Sequence, residues 1–128
     1  MKTYKVIEDG IEYTIEEHSR MNGNKYWYLN GKYHRINGPA IEYSNGTKYW
    51  CLNGKYHRIN GPACEWSDGS KYWYLDGKYH RINGAAIEWT DGSKYWFLDG
   101  IEYTKKEYYL ELLKRGLITK KDAFIELI

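Results

Sequence analysis

Valine occurs once in the 128 residues, and phenylalanine, proline and cysteine twice each. No apolar run approaches the 18 or so residues of a membrane span, and no signal-peptide pattern is present. The chain therefore reads as neither spanning nor exported, with the cytoplasm as its expected compartment. Charge of one sign is also lacking: the formal net charge is +2, too little for a nucleic-acid footprint, so no specific nucleic acid and no membrane are expected as partners. What is present is aromatic. Tyr (15) and Trp (6) dominate an apolar fraction of 42%; such residues favour strands and carry polar handles suited to surfaces. Thirteen glycines against two prolines suggest many tight turns. The length is that of one domain, able to bury a core without staples.

A 23-residue unit, W-x-L-[ND]-G-K-Y-H-R-I-N-G-[PA]-A-x-E-[YW]-[ST]-[ND]-G-[ST]-K-Y, occupies Trp27–Tyr49, Trp50–Tyr72 and Trp73–Tyr95. A fourth copy starts at Trp96 and departs after Gly100. Upstream, Ile11-Glu12-Tyr13 echoes Ile41-Glu42-Tyr43, and Asn22-Gly23-Asn24-Lys25-Tyr26 echoes Asn45-Gly46-Thr47-Lys48-Tyr49; the seven extra residues between them suggest a longer loop. Cys51 and Cys64 stand where other copies have Tyr or Ile and read as small core residues rather than a disulfide. The body from 25 to 98 holds ten Lys/Arg against six acids, a mild basic bias that favours anionic partners only weakly.

Asn30-Gly31, Asn53-Gly54, Asp76-Gly77 and Asp99-Gly100 are two-residue hairpin turns that require positive φ twice. Asn45-Gly46, Asp68-Gly69 and Asp91-Gly92 mark the opposite edge, and Asn37-Gly38, Asn60-Gly61 and Asn83-Gly84 lie between. The segments between turns, four or five residues long, are of strand length. The expected fold is mainly β: an antiparallel meander of hairpin repeats in one domain. Residues 1–24 form an N-terminal hairpin cap and degenerate repeat, 25–103 the β repeats and 104–128 a helical cap. Pairing across the turns assigns Trp50, Leu52, His57, Ile59, Ile41 and Tyr43 to an apolar core face. Tyr49, Cys51, Tyr56, Arg58, Ala40 and Glu42 fall on the other face.

At the ends, residues 3–17 read as a hairpin around Asp9-Gly10. After Tyr103 the apolar period changes from 2 to 3.6. Thr104 and Glu107 make a capping box ahead of an apolar stripe of Tyr108, Tyr109, Leu112 and Leu113. Gly116 stops this helix, and Thr119 with Asp122 starts a second one carrying Phe124, Leu127 and Ile128. Helices this short leave an apolar face over three repeats partly uncovered, which leaves open a homo-oligomer whose second chain covers the rest.

The string Asn53-Gly54-Lys55-x-His57, followed by an aromatic-x-Asp-Gly-x-x-Tyr ending at Tyr72, resembles a MORN repeat. It is more similar still to the MORN-like variants of uncharacterised phage and large-virus proteins, which carry a Gly-Pro-Ala core like Gly38-Pro39-Ala40 and Gly61-Pro62-Ala63. The resemblance covers roughly residues 11–103 and implies two short strands per unit. His57-Arg58-Ile59-Asn60-Gly61-Pro62 replaces the His-Gly-x-Gly of the ordinary pattern, which argues against lipid binding. Proteins with such repeats range from scaffolds to antitoxins, so the fold does not give the function.

His34, His57 and His80 recur once per repeat, and so do Glu42, Glu65 and Glu88. Equivalent positions two strands apart are about 10 Å from one another, too far for ligands that each approach one ion to about 2 Å. Neither a metal nor another cofactor is expected, and each His is assigned a structural slot beside a Trp, hydrogen-bonded to backbone. Every candidate acid, base or nucleophile is triplicated, unlike the single asymmetric constellation of an active site, and no phosphate-binding Gly-rich loop leads into a helix. The chain is accordingly expected not to be an enzyme. The candidate binding surface is Tyr33, Tyr49, Tyr56, Tyr72 and Tyr79 with Arg35, Arg58, Arg81, Glu42, Glu65 and Glu88. Flat rings beside forked cations suit a host protein or a small anionic nucleotide ligand. The resemblance to phage repeat proteins implies an inhibitor of a host defence or regulatory protein, working in the host cytoplasm; the alternatives are an oligomeric sponge for a nucleotide immune signal and a structural scaffold.

Overall fold

A computed structural model describes residues 1–18 and 23–128. Among them are fifteen strands: β1 (Lys2–Glu8), β2 (Ile11–His18), β3 (Asn24–Leu29), β4 (Lys32–Tyr33), β5 (Ile41–Glu42), β6 (Lys48–Tyr49), β7 (Cys51–Leu52), β8 (Lys55–Tyr56), β9 (Cys64–Glu65), β10 (Lys71–Tyr72), β11 (Tyr74–Leu75), β12 (Lys78–Tyr79), β13 (Ile87–Glu88), β14 (Lys94–Leu98) and β15 (Ile101–Tyr103). Helices α1 (Lys105–Lys114) and α2 (Lys120–Leu127) follow. The main sheet runs β1-β2-β3-β5-β6-β9-β10-β13-β14-β15, antiparallel throughout, while β7-β8 and β11-β12 form separate two-stranded hairpins. The expected hairpin meander is the fold observed. Most strands are only two residues long, because in the inner repeats the chain leaves the main sheet at Trp50 and Trp73 to build the side hairpin.

The turns explain the register. Asn30, Asn53, Asp76 and Asp99 take φ of 49 to 52°, each followed by a Gly at positive φ, as a primed two-residue turn requires. The opposite edge turns differently. The Tyr43 N–H donates to the Thr47 carbonyl at 2.9 Å and the Gly46 N–H to the Tyr43 carbonyl at 3.0 Å, with Gly46 at φ 96°. Ser44-Asn45-Gly46 is thus a three-residue loop closed by a glycine bulge. Ile41 consequently faces Tyr49, and Glu42 faces Lys48.

That one-residue shift corrects the face assignment, since alternation transmits it to every side chain. Tyr49 shares a face with Ile41 and Cys64, not with Glu42. Ala40 and Cys51, assigned to the outer face, are buried in the core with Ile41 and Trp27. Ile59, assigned to the core, is 78% exposed. The buried residues combine large groups, Tyr13, Ile15, Trp27, Ile41 and Ile87, with the small Ala40, Ala63, Ala86, Cys51 and Cys64.

One sheet face, the one that also carries Ile15 and Trp27, bears a row of alternating charge. Lys2, Glu17, Lys25, Glu42, Lys48, Glu65, Lys71, Glu88 and Lys94 lie in consecutive cross-strand register. Opposite charges directly across a ladder stabilise it modestly. The same register corrects the upstream echo: Glu17 pairs with Lys25 as Glu42 does, so Glu16-Glu17 occupy the sheet position of Ile41-Glu42. Of the expected longer loop, residues 14–18 extend β2 as strand, and 19–22 lie outside the described residues.

Both ends are capped. The β1-β2 hairpin turns at Asp9-Gly10 as expected, and both capping boxes are formed. At one end the Ile36 N–H donates to the Tyr13 hydroxyl at 3.2 Å. At the other the Tyr108 hydroxyl accepts from the Gly84 N–H and donates to the Arg81 carbonyl. Leu98, Tyr108, Tyr109 and Leu112 form the C-terminal core. In α2 the buried residue is Ala123, whereas Phe124, Leu127 and Ile128 face outward; a helix of eight residues buries one narrow stripe, and here the small residue occupies it.

Candidate functional site

The candidate surface divides in two. Cross-strand partners share a face, so Tyr49 and Tyr72 lie on the side of Ile41, Cys64 and Ile87, opposite Glu42, Glu65 and Glu88. Tyr56 stacks on Tyr49 at 5.4 Å, and Tyr33 and Tyr79 pack against Tyr28 and Tyr74 at 5.0 and 4.4 Å. The rings form a chain of contacts along the inner side of the hairpins, from Tyr28 through Tyr49 and Tyr56 to Phe97. Partial desolvation by the neighbouring rings pushes the Tyr56 phenol up to about 12, although 38% of the residue is exposed. These tyrosines are packing groups first.

Arg35, Arg58 and Arg81 lie on the charged side. Each guanidinium covers a Trp ring, Trp27, Trp50 and Trp73 respectively, with the central carbon 3.6, 3.8 and 3.8 Å from the ring centroid. Such stacking holds an arginine without consuming its donors. Each Nη1 donates to the carbonyl four residues on, Pro39, Pro62 and Ala85. The loop glycine makes room for this: a Cβ on Gly61 would lie 2.9 Å from the Arg58 guanidinium carbon. Arg58 and Arg81 also pair through Nη1 with Glu65 and Glu88, both at 3.1 Å.

Arg35 departs from this pattern. Its pairing partner is Glu8 of the N-terminal hairpin, not Glu42, in a forked contact: Nε to Oε1 at 3.2 Å and Nη2 to Oε2 at 3.1 Å. Next to it the Asn37 amide donates to the Asp9 carboxylate. Glu8, Asp9 and the three loop asparagines escaped the sequence reading because the repeat pattern supplied Glu42 as a nearer partner. The acidic tip of the first hairpin was the available signal.

The histidines fill structural slots. Nδ1 of His34, His57 and His80 accepts the backbone N–H of Asn53, Asp76 and Asp99 at 2.9, 3.0 and 2.9 Å. Each therefore ties one repeat to the hairpin turn of the next. Burial holds the His34 pKa below its ordinary value, against a smaller upward pull from its bond to Asn53. Cys51 and Cys64 are buried free thiols, pushed up to about 12 by burial.

Between the second and third loops lies a cleft of about 450 Å³ lined by Arg58, Asn60, Pro62, Trp73, Arg81 and Asn83 among others. Ile36, Ile59 and Ile82 stand exposed on the successive loops. No helix among the described residues is long and apolar enough to cross a membrane. No protein family, curated protein or solved structure matches the chain.

Proposed function

We propose that this chain is a non-enzymatic binding protein that engages a partner protein through the loop face of its repeats. The resemblance of its repeats to phage and large-virus variants makes a host defence or regulatory protein the partner to test first. The observation that carries this reading is the triplicate arginine stack. A guanidinium fixed over Trp loses little entropy on binding, and Arg beside apolar rim residues such as Ile59 and Ile82 is typical of interface hot spots. The nucleotide reading drew on Tyr49 and Tyr72 as stacking rings, and these two point away from Glu65 and its partner Arg58.

Pull-down of the tagged chain from host lysate tests the proposal. One stoichiometric partner is expected, retained when Tyr56 is changed to Phe and lost when Arg58→Gln and Arg81→Gln are combined. Recovery of nothing above background, or of a defined empty oligomer only, overturns it.

A further inference from the structure

We infer that the cleft between the second and third loops is a seat for an acidic turn of a partner protein, recognised by a carboxylate forked onto Arg81 or Arg58 and a second acid on the neighbouring asparagine. This rests on the partner-protein reading and names the chemistry of the partner's contact segment.

The chain contains its own template for the contact. In the first repeat the Nε–Nη2 edge of Arg35 is occupied by the Glu8 carboxylate, and Asn37 donates to Asp9. The occupant is a hairpin tip, Glu8-Asp9-Gly10-Ile11, turning through Asp9 and Gly10 at positive φ. Repeats two and three reproduce the receiving side: Arg58 with Asn60 and Arg81 with Asn83. Their guanidiniums are held as Arg35 is, over Trp and by Nη1 to a loop carbonyl. Glu65 and Glu88 also take Nη1. Among the described residues nothing accepts from Nε or Nη2 of Arg58 or Arg81. That is the edge matching a carboxylate in a two-bond fork. Arg58 and Arg81 are accordingly more exposed than Arg35, with 31% and 24% of the side chain accessible against 16%. The cleft volume falls within the range of ligand sites. Carboxylate is favoured over phosphate because a carboxylate occupies the equivalent edge in repeat one.

The probe is a cyclised hairpin peptide of residues 2–17 of this same chain, titrated into the full-length protein and followed by Trp fluorescence and amide chemical shifts. Saturable binding is expected, with shifts at residues 58–62 and 81–84. Replacing the peptide residue that corresponds to Glu8 by Gln weakens it by at least about tenfold, the loss expected for a forked charged pair; this leaves the protein untouched. On the protein side Arg81→Gln does the same, and Asn83→Ala, at an exposed side chain, weakens binding with an unchanged Tm. No binding at millimolar peptide, or binding indifferent to the Glu→Gln peptide, overturns the inference. Displacement of the peptide by adenosine monophosphate or inorganic phosphate at lower concentration than the peptide itself needs also overturns it, in favour of a phosphate site. If pull-down recovers a partner that the Arg58→Gln, Arg81→Gln protein loses but the acidic peptide does not displace, the acidic seat fails while the partner reading stands. If the peptide binds and no partner is recovered, the seat stands and that reading fails.

Discussion

His34 joins stability to pH. Its folded pKa lies below the ordinary value of 6.5 because burial disfavours the cation, so the unfolded chain takes up the proton first. Its contribution is complete above about pH 6.5 and is lost as pH falls from there through the folded pKa. Protonation also removes the Nδ1 acceptor for Asn53. His34→Asn keeps an acceptor at nearly the same place without titrating; thermal melts between pH 7.5 and 5 are expected to fall less steeply for the variant than for the wild type. The thiols of Cys51 and Cys64 stay protonated at neutral pH, and the thiolate is the reactive form. A chromogenic disulfide reagent is expected to titrate neither in the native protein and both in denaturant. Glu8 and Arg35 are mostly withdrawn from solvent, so Glu8→Gln leaves a shielded guanidinium with a weaker acceptor. A loss of about 1–3 kcal/mol is expected, measured by urea denaturation.

The turns decide which way every side chain points. Gly46 closes the three-residue loop at φ 96°, where a Cβ meets no neighbour but the backbone is strained. Gly46→Ala is therefore expected to cost about 1–2 kcal/mol through conformation alone, read as a lower Tm with an unchanged fold by circular dichroism. Much of the architecture was legible in the sequence at this scale. The Asn-Gly and Asp-Gly pairs located the primed turns, the period change after Tyr103 located α1, and Thr104 and Thr119 located both caps. The faces were not legible. Asn45-Gly46 reads as a two-residue turn or as the end of a three-residue loop, and the two readings differ by one residue of register. That residue put Tyr49 opposite Ile41 instead of Glu42 and so split Tyr49 and Tyr72 from the glutamates that pair with the arginines; Ile59 is exposed because it lies in the loop beyond β8. The candidate residues were thus found individually but not as one surface. The Glu8–Arg35 fork was hidden for another reason: a contact across 27 positions leaves no mark in a local pattern.

At the scale of the whole molecule, stability is a sum over junctions. Each junction repeats a small set of bonds: a His Nδ1 accepting a turn N–H, a Tyr33, Tyr56 or Tyr79 carbonyl accepting the next turn Gly, and an Arg N–H donating to the next hairpin. In such arrays each unit contacts its neighbours and little else. Excision of Cys51–Trp73 restores Trp-Tyr-Leu at the splice, Trp50 meeting Tyr74-Leu75, and brings Glu88 opposite Lys48 where Glu65 stood. The charge row remains alternating and both caps keep their contacts. Because the excised unit carries one full set of junction bonds and its share of buried surface, the shortened chain is expected to fold cooperatively with a lower midpoint. Its urea m-value should be smaller in proportion to the surface no longer exposed on unfolding. Loss of cooperativity would show that the ends depend on each other across the array, since no local junction has been removed without replacement. An m-value equal to that of the full chain would show that the excised repeat never belonged to the cooperative unit.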